Sequence, residues 1–144
     1  MLQSKYYVKK YNEMLKDDWY QVINKSDSCW MFHDRDLCEV YAKRYRASDE
    51  SFLIYDKANN PVAIVPLFSY KTSRFFGKTM SSFDMSGPAF INNIGNAKHI
   101  RELIRVIDEE LSRLYKENKI DIMKVAFPNL TKTAVNNWGG EPFI

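Results

Sequence analysis

The chain has 144 residues, 45% of them hydrophobic and 27% charged, and carries a formal net charge of +3. That is enough for one folded domain with its own core, and the positive charge is too slight and too scattered for a dedicated nucleic-acid binder. Cys29 and Cys38 are the only cysteines, too few for a secreted disulfide framework, and the longest apolar run, Val62 to Phe68, is far short of a bilayer-spanning length.

With no signal-type apolar segment at the N-terminus either, the expected setting is cytoplasmic, with reduced thiols and no membrane span. Aromatic residues make up 15% of the chain, a high share; each ring taken alone is expected in the core, and the set as a whole leaves room for a face against another domain.

In chain order, Tyr6-Tyr7-Val8 reads as a short strand. Asn12 is placed to cap a helix bearing Leu15, Trp19, Val22 and Ile23 at helical spacing. Turn formers from Asn24 to Ser28 end it. A second helix is expected from about Asp34, with Leu37, Val40, Tyr41 and Tyr45 on its inner side. Its acidic start and its basic end (Lys43, Arg44, Arg46) suit the helix dipole.

Phe52–Tyr55, Val62–Tyr70 and roughly Thr79–Phe83 read as consecutive antiparallel strands, the first two joined by the turn Ala58-Asn59-Asn60-Pro61. Pro66 cannot donate to a ladder, so it marks an edge, bulge or bend. Gly87-Pro88 breaks the chain before the short run Ala89-Phe90-Ile91.

From Lys98 to about Glu117, Ile100, Leu103, Ile104, Ile107, Leu111 and Leu114 form one face of a long helix. Asn118 is placed to end it in a left-handed turn. A strand follows from Ile120 to Phe127, then a short helical stretch, Thr131 to Trp138. Gly139-Gly140 and Pro142-Phe143-Ile144 read as a turn into a strand that does not follow, which predicts an unfilled sheet edge. The layout is an α/β (α+β) fold: a mixed, mostly antiparallel sheet flanked by helices.

Cys29, His33 and Cys38 lie close in sequence, but their spacing lacks a fourth partner, so packing roles are favoured over a metal site. No metal is expected, and no catalytic residue is assigned. Asp84, Ser86 and Gly87 lie on a turn after a strand, a place where binding residues concentrate, although Ser, Asp and Gly are also ordinary turn formers. The loop Asn92 to Ala97 leads into the long helix. Its backbone N–H groups around Gly95, Asn96 and Ala97 are placed to receive an anion such as a pyrophosphate.

Four segments in order carry a resemblance. They are Trp19-x-x-Val22 leading to Cys29-Trp30-Met31-Phe32-His33; Ser51 to Tyr55; Pro61 to Leu67; and Gly77 through Ser81-Ser82-Phe83-Asp84-Met85-Ser86-Gly87-Pro88. This pattern resembles the N-terminal lobe of Fem-like acyltransferases of the GNAT superfamily, which include peptidoglycan bridge-forming enzymes.

The resemblance covers about Trp19 to Phe127. It implies a single GNAT-like lobe spanning residues 1–144, half of a two-lobe protein. The implied chemistry transfers an acyl or aminoacyl group, from a thioester such as acyl-CoA or from aminoacyl-tRNA, to an amine acceptor. Nucleic acid would be a partner only with the tRNA donor. Asp84, Ser86 and Gly87 would lie at the acceptor cleft, and Gly95, Asn96 and Ala97 at the donor's phosphates.

The sequence departs from the family pattern at Met85-Ser86-Gly87, where an aromatic and two glycines are usual. It departs again at Asn92, where Arg or Gln usually opens the phosphate loop, and it lacks a tyrosine in Thr131–Trp138. The alternative is a non-catalytic GNAT-like module or truncated remnant that binds a partner, or a second copy of itself, through the unfilled edge and its aromatics.

Overall fold

The computed structural model describes residues 4–72, 77–83 and 87–126. Eight strands and three α-helices follow in the order β1 (Tyr6–Lys10), α1 (Lys16–Asn24), α2 (Arg35–Tyr45), β2 (Ser48–Asp49), β3 (Phe52–Asp56), β4 (Pro61–Val65), β5 (Phe68–Lys71), β6 (Lys78–Ser81), β7 (Ala89–Phe90), α3 (Ala97–Glu117) and β8 (Ile122–Lys124). They form two four-stranded sheets, ordered β1-β3-β4-β7 and β2-β5-β6-β8. Every pairing is antiparallel except β6 with β8.

The first sheet is buried on both faces, and the alternation of side chains in its strands shows how. Phe52 and Ile54 of β3 join one core with Leu103, Val106, Ile107 and Leu114 of α3. Leu53 and Tyr55, the intervening residues, join a second core with Trp19 and Val22 of α1. Helix, sheet and helix therefore stack as three layers. The β3–β4 hairpin is closed by Asp56, whose Oδ1 accepts from the amides of Ala58 and Asn60, both at 2.9 Å, while Asn59 takes a left-handed φ of 64°.

The single strand expected over Val62–Tyr70 is two strands in different sheets, with Pro66 between them. Ser51 spans the break: its Oγ accepts from the Leu67 amide at 3.0 Å, and the Leu67 carbonyl accepts from the Glu50 amide at 2.8 Å. The bend that proline imposes thus becomes the hinge line between the two sheets.

Other expectations need correction. Val40 is 61% exposed and Tyr45 45% exposed, so the inner side of α2 is carried by Arg35 and Cys38 instead. Asn118 ends α3 with φ −86°, and Lys119 takes the left-handed position with φ 51°. The last strand is confined to Ile122–Lys124, and its neighbour Ile120 is buried. The helix expected over Thr131–Trp138 and the Gly-Gly tail lie outside the described residues.

Candidate functional site: the parting of the two sheets

Strand β6 runs parallel to β8, with Thr79, Met80 and Ser81 opposite Ile122, Met123 and Lys124. The ladder continues one step further. The Ser82 amide donates to the Lys124 carbonyl at 3.0 Å, and the Ala126 amide donates to Ser82 Oγ at 2.9 Å. By Ala89 the chain stands in the other sheet, with Ala89 opposite Ile64 and Phe90 opposite Ala63. Ser82 is still paired with β8 and Ala89 already with β4, so the two sheets part between these two points.

Gly87 lies at this parting. Asp84 and Ser86, the other two residues expected at an acceptor cleft, lie outside the described residues.

The Gly87 carbonyl is held by His33, whose Nε2 lies 2.8 Å away. The tautomer follows from the other ring nitrogen. Nδ1 accepts from the Trp30 amide at 3.2 Å, so the proton sits on Nε2, and Nε2–H donates to Gly87. Burial pushes the His33 pKa below its ordinary value, partly offset by its hydrogen bond to the Gly87 carbonyl, and the ring is fully buried.

The chain continues through Trp19, whose Nε1–H donates to the His33 carbonyl at 2.8 Å. Trp19, His33 and Gly87, far apart in the sequence, form one hydrogen-bonded line from α1 to the parting of the sheets. Both nitrogens of His33 are engaged with backbone, so it holds the turn in place. The two cysteines near it are also structural: burial drives the thiols of Cys29 and Cys38 up to about 12. Among the described residues no cluster of three or more His, Cys, Asp or Glu is placed to hold a metal ion.

Arg35 was not singled out by the sequence pattern. It opens α2 at a position that reads as a solvated helix start, yet it is 1% exposed. Its guanidinium lies 3.7 Å from the Tyr11 ring centroid and 4.8 Å from that of Trp19, and it pairs with Asp49. It also donates to Ser51 Oγ at 3.4 Å. Arg35 therefore ties α1 and α2 to the Ser51 bridge between the sheets. Burial opposes its charge, but the Asp49 carboxylate more than compensates and raises its pKa.

The loop of residues 91–96 leads from β7 to α3. It is anchored to the end of α1: the Asn92 amide donates to the Lys25 carbonyl at 2.9 Å, and the Asp27 amide to Asn92 Oδ1 at 3.0 Å. Gly95 has φ +117°, and a Cβ there would stand 2.5 Å from His99 Nδ1, so only glycine fits. Asn96 caps α3, its Oδ1 accepting from the amides of Lys98 at 3.1 Å and His99 at 3.2 Å. The cap thus engages the amides of Lys98 and His99, which are not among the donors expected at Gly95, Asn96 and Ala97.

Gly95, Asn96 and Ala97 are all exposed. A cleft of about 300 Å³ opens beside this turn, with Lys5, Lys57, Ile94 and His99 in its wall together with Asp56, whose carboxylate is spent on the hairpin amides. Lys5 Nζ lies 3.1 Å from His99 Nε2, which leaves the proton of the neutral imidazole on Nδ1.

No family model matches the sequence, and no curated protein matches it. Among solved structures, the chain is similar to a predicted acetyltransferase with acetyl-CoA from Clostridium acetobutylicum, at 12% identity over 95% of this chain and 90% of that one, with a TM-score of 0.49. It is also similar to an acetyltransferase of the GNAT family from Staphylococcus aureus Mu50, at 20% identity over 82% of this chain and 71% of that one, with a TM-score of 0.43. No described helix is long and apolar enough to cross a membrane.

Proposed function

We propose that this chain is an acyltransferase lobe of GNAT type that passes an acyl group from acyl-CoA to an amine acceptor. The observation that carries the reading is that the chain pairs with β8 up to Ser82 and with β4 from Ala89, so that the two sheets part between these points. In this reading the gap left there takes the extended thioester arm. The flanking features suit such a ligand. The gap lies at one end of β7, and the Gly95–Ala97 turn, beside a cleft with Lys5, Lys57 and His99, lies beyond the other.

The chemistry needs no covalent intermediate. The amine nitrogen attacks the thioester carbonyl, the C–N bond forms, and the C–S bond breaks with release of the thiolate. Backbone N–H groups at the gap steady the developing oxyanion, and the fixed geometry supplies the remaining advantage. The proton lost by the amine goes to the leaving thiolate or to solvent. His33 is not its acceptor, because its free nitrogen lone pair already receives the Trp30 amide.

Asp84, Ser86 and Gly87 form the acceptor side in this reading, and Gly95, Asn96 and Ala97 the donor's phosphate side. The aminoacyl-tRNA donor, the role in cell-wall bridge formation and the pairing with a second lobe remain finer possibilities of the same reading. The test is release of free thiol from acetyl-CoA over a panel of amines, with an Asp84→Ala variant alongside. Turnover unchanged in that variant removes Asp84 from the acceptor side.

A second reading, a non-catalytic module that binds a partner or a second copy, draws on Met31 at 60% exposure and Val40 at 61%. Self-association together with indifference to CoA would favour it.

A further inference from the structure

A groove of about 460 Å³ lies away from the α3 turn, between the end of α2 and the β5–β6 hairpin. Its volume falls in the range of small-molecule sites, about 300–1,000 Å³. The groove is lined by Arg46, Lys71 and Lys78, by Tyr45 and Tyr70, and by Ser69.

The cations are arranged against their own stability. Lys71 and Lys78 stand directly opposite each other in the β5–β6 ladder, a like-charged cross-strand pair that disfavours the hairpin. Arg46 holds the left-handed position that ends α2, with φ 51°, where glycine or asparagine is the comfortable residue. None of the three side chains forms an ion pair with a described carboxylate. The acid nearest in the hydrogen-bond pattern, Asp121, instead accepts from the Lys78 backbone amide at 2.8 Å.

Two further features point to a ligand. Ser69 is 2% exposed, and its hydroxyl has no hydrogen-bond partner among the described residues. A buried hydroxyl without a partner is unusual, and this residue forms part of the groove wall. Tyr45 and Tyr70 lie with ring centroids 5.6 Å apart, each also stacked on Phe83 at 5.2 and 6.0 Å, and remain partly exposed at the same groove.

We infer that this groove binds a nucleoside monophosphate. The phosphate sits among Arg46, Lys71 and Lys78, and the base lies on Tyr45 and Tyr70. A phosphate relieves the Lys71–Lys78 repulsion, and aromatic side chains take any base by its π-face. The site is separate from the acyl-CoA site proposed above and stands whether or not that reading does.

The test is calorimetric titration with AMP, adenosine and inorganic phosphate. AMP is expected to bind at least tenfold more tightly than either fragment, and more weakly as salt rises. A Lys71→Gln, Lys78→Gln double variant is expected to lose at least tenfold in AMP affinity while melting no lower than the parent. Arg46→Gly is expected to melt higher, since it removes the left-handed strain, yet bind AMP more weakly.

AMP binding that is absent, or that is unchanged in both variants, overturns the assignment. So does phosphate binding as tight as AMP, which would reduce the groove to an anion site. If the double variant abolishes the response to acetyl-CoA as well, the groove belongs to the donor's nucleotide and is not separate. An Asn96→Asp variant that loses acetyl-CoA but keeps AMP supports two sites.

Discussion

His33 donates from Nε2 to the carbonyl of Gly87, 54 residues further along the chain, at 2.8 Å. That one bond holds the parting of the two sheets against the α1–α2 connection. It also makes the turn sensitive to the protonation of a buried imidazole. The folded pKa is depressed, so the unfolded chain takes up the proton first. The stability His33 contributes is therefore fully present above about pH 6.5, the unfolded value, and is lost as pH falls toward the folded value.

Urea midpoints measured from pH 7.5 down to about 5 should show this decline beyond that of a His33→Gln variant, which keeps a donor but cannot titrate. The variant itself should lose about 1–3 kcal/mol at neutral pH through the Trp30 amide it leaves poorly paired. Parallel pH profiles for the two proteins would show that folding does not lower the His33 pKa and would contradict this account of the bond.

Arg35 carries more weight than the surface ion pairs. Removing it leaves the partly exposed Asp49 without its cation and a void under Tyr11 and Trp19. Arg35→Ala should cost about 3 kcal/mol. Arg105→Ala breaks an exposed pair one helical turn apart, and should cost under about 0.5 kcal/mol. Equal midpoints for the two in chemical denaturation would contradict the bridging role of Arg35.

Gly77 is a second point where the backbone demands glycine. Its φ is +70°, and an added Cβ would stand 1.7 Å from Asp121 Oδ2, the group that fixes the start of β6. Gly77→Ala should therefore destabilise by at least about 1 kcal/mol. It should also speed amide exchange at Lys78 and Asp121, which is read directly by hydrogen exchange. An exchange pattern unchanged there would show that the turn adapts freely.

Asn96 separates helix capping from ligand binding. Asparagine and aspartate cap equally well, and the added negative charge suits a helix start. Asn96→Asp should leave the melting temperature equal or slightly raised while weakening acetyl-CoA binding at least tenfold, because its carboxylate repels the incoming phosphates. Unchanged affinity would move the phosphates away from α3.

Much of the fold could be read in the chain. The long apolar stripe of α3, the start of α2 near Asp34 and the Asp56–Asn60 hairpin are local signals, set by residues a few positions apart. Asn12 instead caps the 3-10 turn Glu13–Leu15, and α1 begins after it at Lys16 without a side-chain cap. Pro66 announced a break, but not that the strands on either side belong to different sheets, because that depends on Ser51 reaching Leu67. Val40 was misplaced for a related reason. Arg35, a charged residue, takes the inner side of α2 through partners on β2 and the segment before α1. Of the candidate site, Gly87 and the Gly95–Ala97 turn could be located by their turn chemistry. The His33–Gly87 bond joins residues that no local pattern connects.

The central claim is that the lobe binds an acyl-CoA by itself. A thermal melt with and without acetyl-CoA tests it most directly. Ligand at 100 times its Kd adds about 2.7 kcal/mol, which for a domain of this size raises the melting temperature by roughly 5–10 °C. A shift of that order is expected, cut by about half or more in Asn96→Asp and kept in the Lys71→Gln, Lys78→Gln double variant. No shift at about 1 mM acetyl-CoA, near the upper end of ordinary substrate KM values, would contradict it.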